Sequence, residues 1–206
     1  MIIKYPALKP EPLSEGTPFI FGDSQTGFCL ADFWVWSYSS LLNNLTRGHL
    51  AEFIVARALG IAGTVRHEWA PFDLLLQEPG RTDIKIEVKS AAYLQEWGQR
   101  DFSSIQFSIR ETREWDEVTG QFRGDAHRQS DVYVFALLHH KEKETVNPLN
   151  LEQWTFYVVP TTALDQLSGS QKSISLGILA LEKAALGARE TGFLDLRGVV
   201  LAAVPV

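Results

Sequence analysis

The chain has one cysteine, Cys29, in 206 residues, so no disulfide can form within it, and the lone thiol is expected to pack as a small apolar side chain. No stretch reaches the roughly 18 to 20 consecutive apolar residues that a membrane-spanning helix needs. Residues 1 to 6, MIIKYP, do not form the apolar centre of a secretory signal. These absences lead to the expectation of a cytoplasmic protein with no membrane partner. Internal repeats and low-complexity segments are also lacking. Positive charge is in short supply: 19 Lys and Arg stand against 25 Asp and Glu, a formal net charge of −6. A protein that grips a duplex through a broad basic surface has the opposite balance, so any contact with nucleic acid has to be local or assisted by a cation. What the chain does have is apolar side chains, 45% of its residues. At this length that suffices for one globular domain with a full core.

The most informative stretch is Ile84-Lys85-Ile86-Glu87-Val88-Lys89-Ser90. Side chains alternate between the faces of a strand, so Glu87 and Lys89 share one face while Ile84, Ile86 and Val88 anchor the other in a core. A carboxylate can hold a hard divalent cation through oxygen, and a lysine two residues on can orient or deprotonate a water or offset charge on a phosphate. Upstream, residues 70 to 76 form a short apolar run with Asp73 near its start, and Pro79-Gly80 lies between the two runs as a turn signal. A hairpin centred on Gly80 sets Asp73 opposite Glu87, with Cβ atoms roughly 5 Å apart. Two carboxylates that close repel unless something positive lies between them.

A third acid comes from a predicted helix over residues 45 to 60, with Asn44 or Thr46 as its N-cap and Gly60 as its stop. Glu52 is the only acid in it, and its helical neighbours Gly48, Ala56 and Leu59 form a small apolar face. Glu52 is therefore expected to lean toward the hairpin. The plainer readings are a solvated Glu-x-Lys face and a helix salt bridge from Glu52 to Arg57 or a lysine.

The order helix-Glu, strand-Asp, strand-Glu-x-Lys over residues 45 to 160 resembles the PD-(D/E)xK superfamily, the restriction-endonuclease-like nucleases. Phe72 stands where the motif has its proline, and Pro71 lies one residue earlier. The resemblance implies an α/β fold with a restriction-endonuclease-like core, a mixed central sheet flanked by helices. It also implies a magnesium site, with manganese able to substitute, held by Asp73, Glu87, the Val88 carbonyl and Glu52. Lys89 would be catalytic beside them. Gln95 is an accessory candidate, because many members place a glutamine after the lysine. The implied activity is phosphodiester hydrolysis, of DNA in preference to RNA. The alternative is a catalytically silent copy of the fold that binds nucleic acid or protein as a scaffold.

Elsewhere, residues 1 to 30 carry four prolines and several glycines and read as an irregular arm, leaving 31 to 206 as the single nuclease-like domain. Residues 31 to 42 read as an aromatic-rich helix for core or dimer contact. With the need for two sites to cut both strands of a duplex, that segment leads to the expectation of a homodimer. Residues 97 to 128 mix aromatics and arginines suited to phosphate and base contact, offset by six acids, with a strand at 104 to 109 inside. Core strands are expected at 131 to 138 and 154 to 160. Helices are expected at 161 to 167 and 179 to 188, with a late strand or turn at 171 to 176, and residues 194 to 206 close the domain. His139-His140 reads as a loop edge, since adjacent strand residues face opposite ways.

Overall fold

Everything near the candidate residues hangs on one nine-residue strand, Ile84–Ala92. The computed structural model describes residues 5, 8, 10–66, 70–116, 119–167, 171–181 and 186–204. In chain order the elements are β1 (Pro18–Phe21), β2 (Ser24–Cys29), α1 (Leu30–Tyr38), α2 (Asn44–Leu59), β3 (Leu74–Leu76) and β4 (Ile84–Ala92). They continue with β5 (Gln106–Ser108), β6 (Thr112–Asp116), β7 (Gln121–His127), β8 (Val132–Leu138) and β9 (Trp154–Pro160). The last are α3 (Thr161–Gln166), β10 (Ser173–Ser175), α4 (Leu176–Leu181), β11 (Arg189–Thr191) and α5 (Leu196–Ala203).

The chain is mixed α/β around a five-stranded mixed sheet of order β11-β9-β8-β4-β3. β4 pairs antiparallel with β3 on one side and parallel with β8 on the other. β8 then pairs antiparallel with β9, and β9 with β11. Every residue of β8 is buried, as a central strand covered on both faces requires. The pleat divides the core in two. Ile84, Ile86 and Val88 of β4 and Val132, Val134 and Ala136 of β8 pack against α2 and α5 through Ala51, Ile54, Val55, Leu196 and Val200. On the opposite face Ala91, Tyr133, Phe135 and Leu137 meet Phe107 of β5, Leu164 of α3 and Leu179 of α4. Ile86, Phe135 and Phe156 expose none of their surface, and each such side chain contributes roughly 1.5–3 kcal/mol.

Several boundaries differ from the sequence reading, each for a local reason. α2 is capped by Asn43 and not by the expected Asn44 or Thr46, because the Asn43 Oδ1 accepts the Thr46 N–H at 2.9 Å. Gly60 ends the helix as expected, with φ +78° and its N–H turned back on the last turn. The helix expected over 179 to 188 is displaced to α4, whose start is set by Ser175 Oγ accepting the Ile178 N–H at 3.3 Å. Ala188 instead leads into β11, and residues 182–185 lie outside the described set. The expected irregular arm contains a hairpin, β1–β2, closed at Gly22 with φ +60°. The expected substrate loops hold the β6–β7 hairpin, where Arg113 bonds the Gly124 carbonyl and Arg123 pairs with Asp116. His139 and His140 are each bonded to a different threonine, Thr155 and Thr145.

The Asn43 cap is a single hydrogen-bonding side chain at the start of the helix that carries Glu52. Asn43→Ala is expected to lower stability by about 1 kcal/mol in urea unfolding, and Asn43→Ser to restore most of it. Unchanged midpoints for the alanine variant would show that the cap contributes nothing.

Candidate active site

The pleat of β4 places Glu87 and Lys89 on the face away from α2, half-buried, while Ile86 and Val88, which alternate with them, are buried in the core. In register with β8, Glu87 lies beside Tyr133 and Lys89 beside Phe135. β3 is much shorter than β4. Its register runs Leu76↔Ile84, Leu75↔Lys85, Leu74↔Ile86 and then stops, so among the described residues β4 has no strand partner on that edge from Glu87 onward. One step beyond the last pair, Asp73 comes opposite Glu87, as the position of Gly80 predicts. The Asp73 N–H donates to the Ile86 carbonyl at 3.1 Å. Its Oδ2 accepts the Val88 N–H at 2.7 Å. The carboxylate thus takes the place of the missing strand, and the Val88 carbonyl lies on the same edge of β4 as that N–H.

Charge is concentrated here. Burial, and then the neighbouring Glu87 and Glu52 carboxylates, push the Asp73 carboxyl up to about 7, against the opposing pull of Lys89 and the Val88 N–H. For Lys89 burial opposes the charge, but Glu87, Asp73 and Glu52 together more than offset it and hold the ammonium above the ordinary lysine range. Lys89 is ion-paired with Glu87. Burial and the Glu87 charge raise the Tyr133 phenol to about 12, so it stays protonated. Glu52 on α2 contributes its charge to Asp73 and Lys89 and is held by Arg66, whose Nη2 donates to Oε1 at 3.1 Å. Its salt bridge is thus to Arg66, and its side chain is only 12% exposed. Glu52, Asp73, Glu87 and Lys89 therefore share one electrostatic neighbourhood assembled from three separate elements.

Gln95 stands apart. β4 ends at Ala92, so Tyr93 and Gln95 do not continue the face of Glu87 and Lys89. Gln95 is buried, donating to the Ala92 carbonyl and to Ser103 Oγ at 3.1 Å each. Its Oε1 receives Arg47 Nη1 at 3.4 Å. Arg47 is itself buried, with further bonds to Leu42, Asn44 and Ser90, and burial lowers its pKa. This network ties the start of α2 to the end of β4, and none of the hydrogen bonds of Gln95 goes to Asp73, Glu87 or Lys89.

Three residues near the site were not singled out from the sequence. His49 lies three residues before Glu52, on the same helical face, and lines with it a cavity that also reaches Asp73. Helical spacing was a usable signal for His49. Tyr133 becomes a neighbour only through the parallel pairing of β4 and β8, and Arg66 only through the turn after α2.

As to a cation, the donors at the β4 edge are Asp73, Glu87 and the Val88 carbonyl, all oxygen, the chemistry a hard divalent ion takes. The crowding that raises Asp73 is the repulsion such an ion relieves. Among the described residues no group of three or more His, Cys, Asp or Glu side chains is close enough to hold a metal ion. Lys89 and Arg66 occupy Glu87 and Glu52 instead, so an ion has to displace Lys89 to reach Glu87. Compared with known proteins, the chain matches no family model, no curated protein and no solved structure. Among the described residues no helix is long and apolar enough to cross a membrane.

Asp73 has a testable cost. Its ordinary value is 3.8 and its value here about 7, so the folded chain binds more protons than the unfolded one between those limits. Stability therefore falls as pH rises through that window, and the penalty is complete above 7. Asp73→Asn in metal-free buffer is expected to be more stable than the wild type at pH 8 in urea unfolding, by on the order of a few kcal/mol. The advantage should vanish near pH 4. An equal difference at both pH values would refute this account of Asp73.

Proposed function

We propose that the chain is a divalent-metal-dependent nuclease with a restriction-endonuclease-like core, acting on DNA in preference to RNA. The observation that carries the reading is Asp73 bonded to the Val88 N–H across from Glu87-x-Lys89. It lies at the edge of a sheet, within the electrostatic reach of a helix carboxylate, Glu52. Asp73, Glu87 and the Val88 carbonyl would hold magnesium, or manganese in its place, with Glu52 contributing from α2. A bound divalent ion supplies charge neutralisation at a phosphate and lowers the pKa of a coordinated water. Lys89 is held charged by its carboxylate neighbours. It therefore serves better to orient the attacking water and offset charge on the phosphate than to remove a proton. The preference for DNA rests on likeness of motif order, a fold-level analogy.

One observation favours the second reading, a silent copy of the fold acting as a scaffold: both Glu87 and Glu52 are closed by cations of the chain itself. The two readings separate in solution. For the nuclease, calorimetry with manganese shows binding that Asp73→Ala removes, and Asp73→Ala and Glu87→Ala each abolish cleavage of DNA while the fold survives. Lys89→Met should keep the ion and lose at least about a hundredfold in turnover. No metal binding and no cleavage of linear, nicked, branched or single-stranded DNA, or of RNA, would leave the scaffold standing.

The proposal includes a second copy of the chain. No residue of α1 is buried, and both strands of the β1–β2 hairpin are exposed almost throughout. Trp36 is 84% and Phe21 85% exposed. With their apolar neighbours in residues 18 to 38 they leave on the order of 1,000 Å² of apolar surface in water. A standard interface takes about 800 Å² from each partner, and an isolated two-stranded hairpin is marginal without one. Sedimentation at micromolar concentration should therefore show a dimer that Trp36→Glu together with Phe21→Asp converts to monomer. A wild-type monomer rules the arrangement out.

A further inference from the structure

A cavity of about 380 Å³ opens beside the carboxylates. Its polar groups include Glu52, Asp73, His49 and Arg66, and its walls are apolar, with Phe53, Val65, Phe72 and Leu75 among them. Phe53 is 56% exposed, and Val65 and Leu75 are 38% and 37% exposed. Three apolar side chains left in water around one concavity beside a charged cluster mark a place where something binds, not a defect of the core. A cation stands nearby: Lys85, paired in register with Leu75, has its Nζ 5.7 Å from the centre of the Phe72 ring.

Size and chemistry narrow the occupant. The volume is at the lower end of the roughly 300–1,000 Å³ of small-molecule pockets, suited to one flat ring system and far too small for a duplex groove. Phe53 and Phe72 offer rings for stacking, and His49 offers a polar atom to a ring edge. Lys85 suits an anion attached to that ring. A ring with an attached anion, set against carboxylates proposed to act on a phosphodiester, is a nucleotide. A base paired and stacked in a duplex cannot enter such a pocket without leaving the helix, and a chain with net charge −6 lacks the broad basic surface that would grip the duplex while it does so.

We infer that this cavity receives one unpaired nucleobase next to the phosphate at the carboxylate cluster, so that single-stranded DNA is the preferred substrate class over intact duplex. This rests on the nuclease reading above, and the test keeps the two apart. The probe is a single-stranded oligonucleotide carrying one 2-aminopurine, and its duplex form. Binding is measured with calcium present and cleavage with magnesium or manganese. The wild type should bind the single strand about tenfold or more tighter than the duplex, with a change in 2-aminopurine fluorescence, and Phe53→Ala should weaken it by about tenfold. Ala62→Trp, which fills the pocket, should remove the fluorescence change. Unchanged melting temperatures for both variants confirm that the fold is intact, as expected for an exposed phenylalanine. Cleavage with equal affinity for single strand and duplex, unaffected by Phe53→Ala, overturns the base pocket and leaves the nuclease reading intact. A fluorescence change dependent on Phe53 without any cleavage supports the pocket and sinks the nuclease. Absence of both binding and cleavage overturns both.

Discussion

Strand β4 has a backbone partner along one edge for most of its length and along the other for only three residues. A strand edge abandoned inside a fold leaves N–H and C=O groups that must find partners or suffer desolvation. Asp73 resolves this at Val88 by offering a carboxylate oxygen to the N–H. The same geometry holds the carboxylate against Glu87, on the neighbouring strand, and within reach of Glu52, on the helix behind the sheet. The shortness of β3 is therefore what creates the site. A longer β3 would pair Val88 with backbone and leave no reason for an acid to be there.

The cluster works against stability. Three carboxylates and one ammonium are gathered where burial penalises charge, and Asp73 is raised while Lys89 is kept charged by the same crowding. Structural ion-pair networks also perturb pKa values. Here the acids outnumber the lysine, and the balance is met in part by Arg66 from outside the hairpin. The cluster lies beside a cavity whose walls are largely apolar. On the nuclease reading proposed above, the two features would be complementary, one for a phosphate with its counterion and the other for the ring attached to it.

The scaffold beneath is asymmetric in its use of the chain. The sheet and its two cores draw on α2, β3, β4, β8, β9 and the C-terminal elements, while β1, β2 and α1 bury almost nothing. The β6–β7 hairpin is similarly exposed, with its arginines spent on internal bonds. Within residues 97 to 128, Arg123 pairs with Asp116 and Arg128 with Glu111, so part of the segment's positive charge is met by its own acids. Aromatic content near the N-terminus stays in solvent.

What the sequence determined by itself is whatever follows from local period and turn chemistry. The alternation of Ile84, Ile86 and Val88 with Glu87 and Lys89 sets the faces of β4, Pro79-Gly80 sets the hairpin register that opposes Asp73 to Glu87, and Gly60 ends the helix that carries Glu52. Each depends on residues close in the chain, where backbone geometry leaves few choices. Tertiary structure decided the rest. Gln95 is expected on the site face only if β4 runs on, and it leaves because the buried guanidinium of Arg47, 48 positions away, draws it into another network. Tyr133 comes beside Glu87 through a parallel pairing that no local pattern encodes. Arg66 meets Glu52, and apolar side chains from α2, the turn after it and β3 enclose a cavity, only once those segments pack. Such contacts are chosen by which distant surfaces bury one another, and a periodic pattern says which side of an element is apolar without saying what will lie against it.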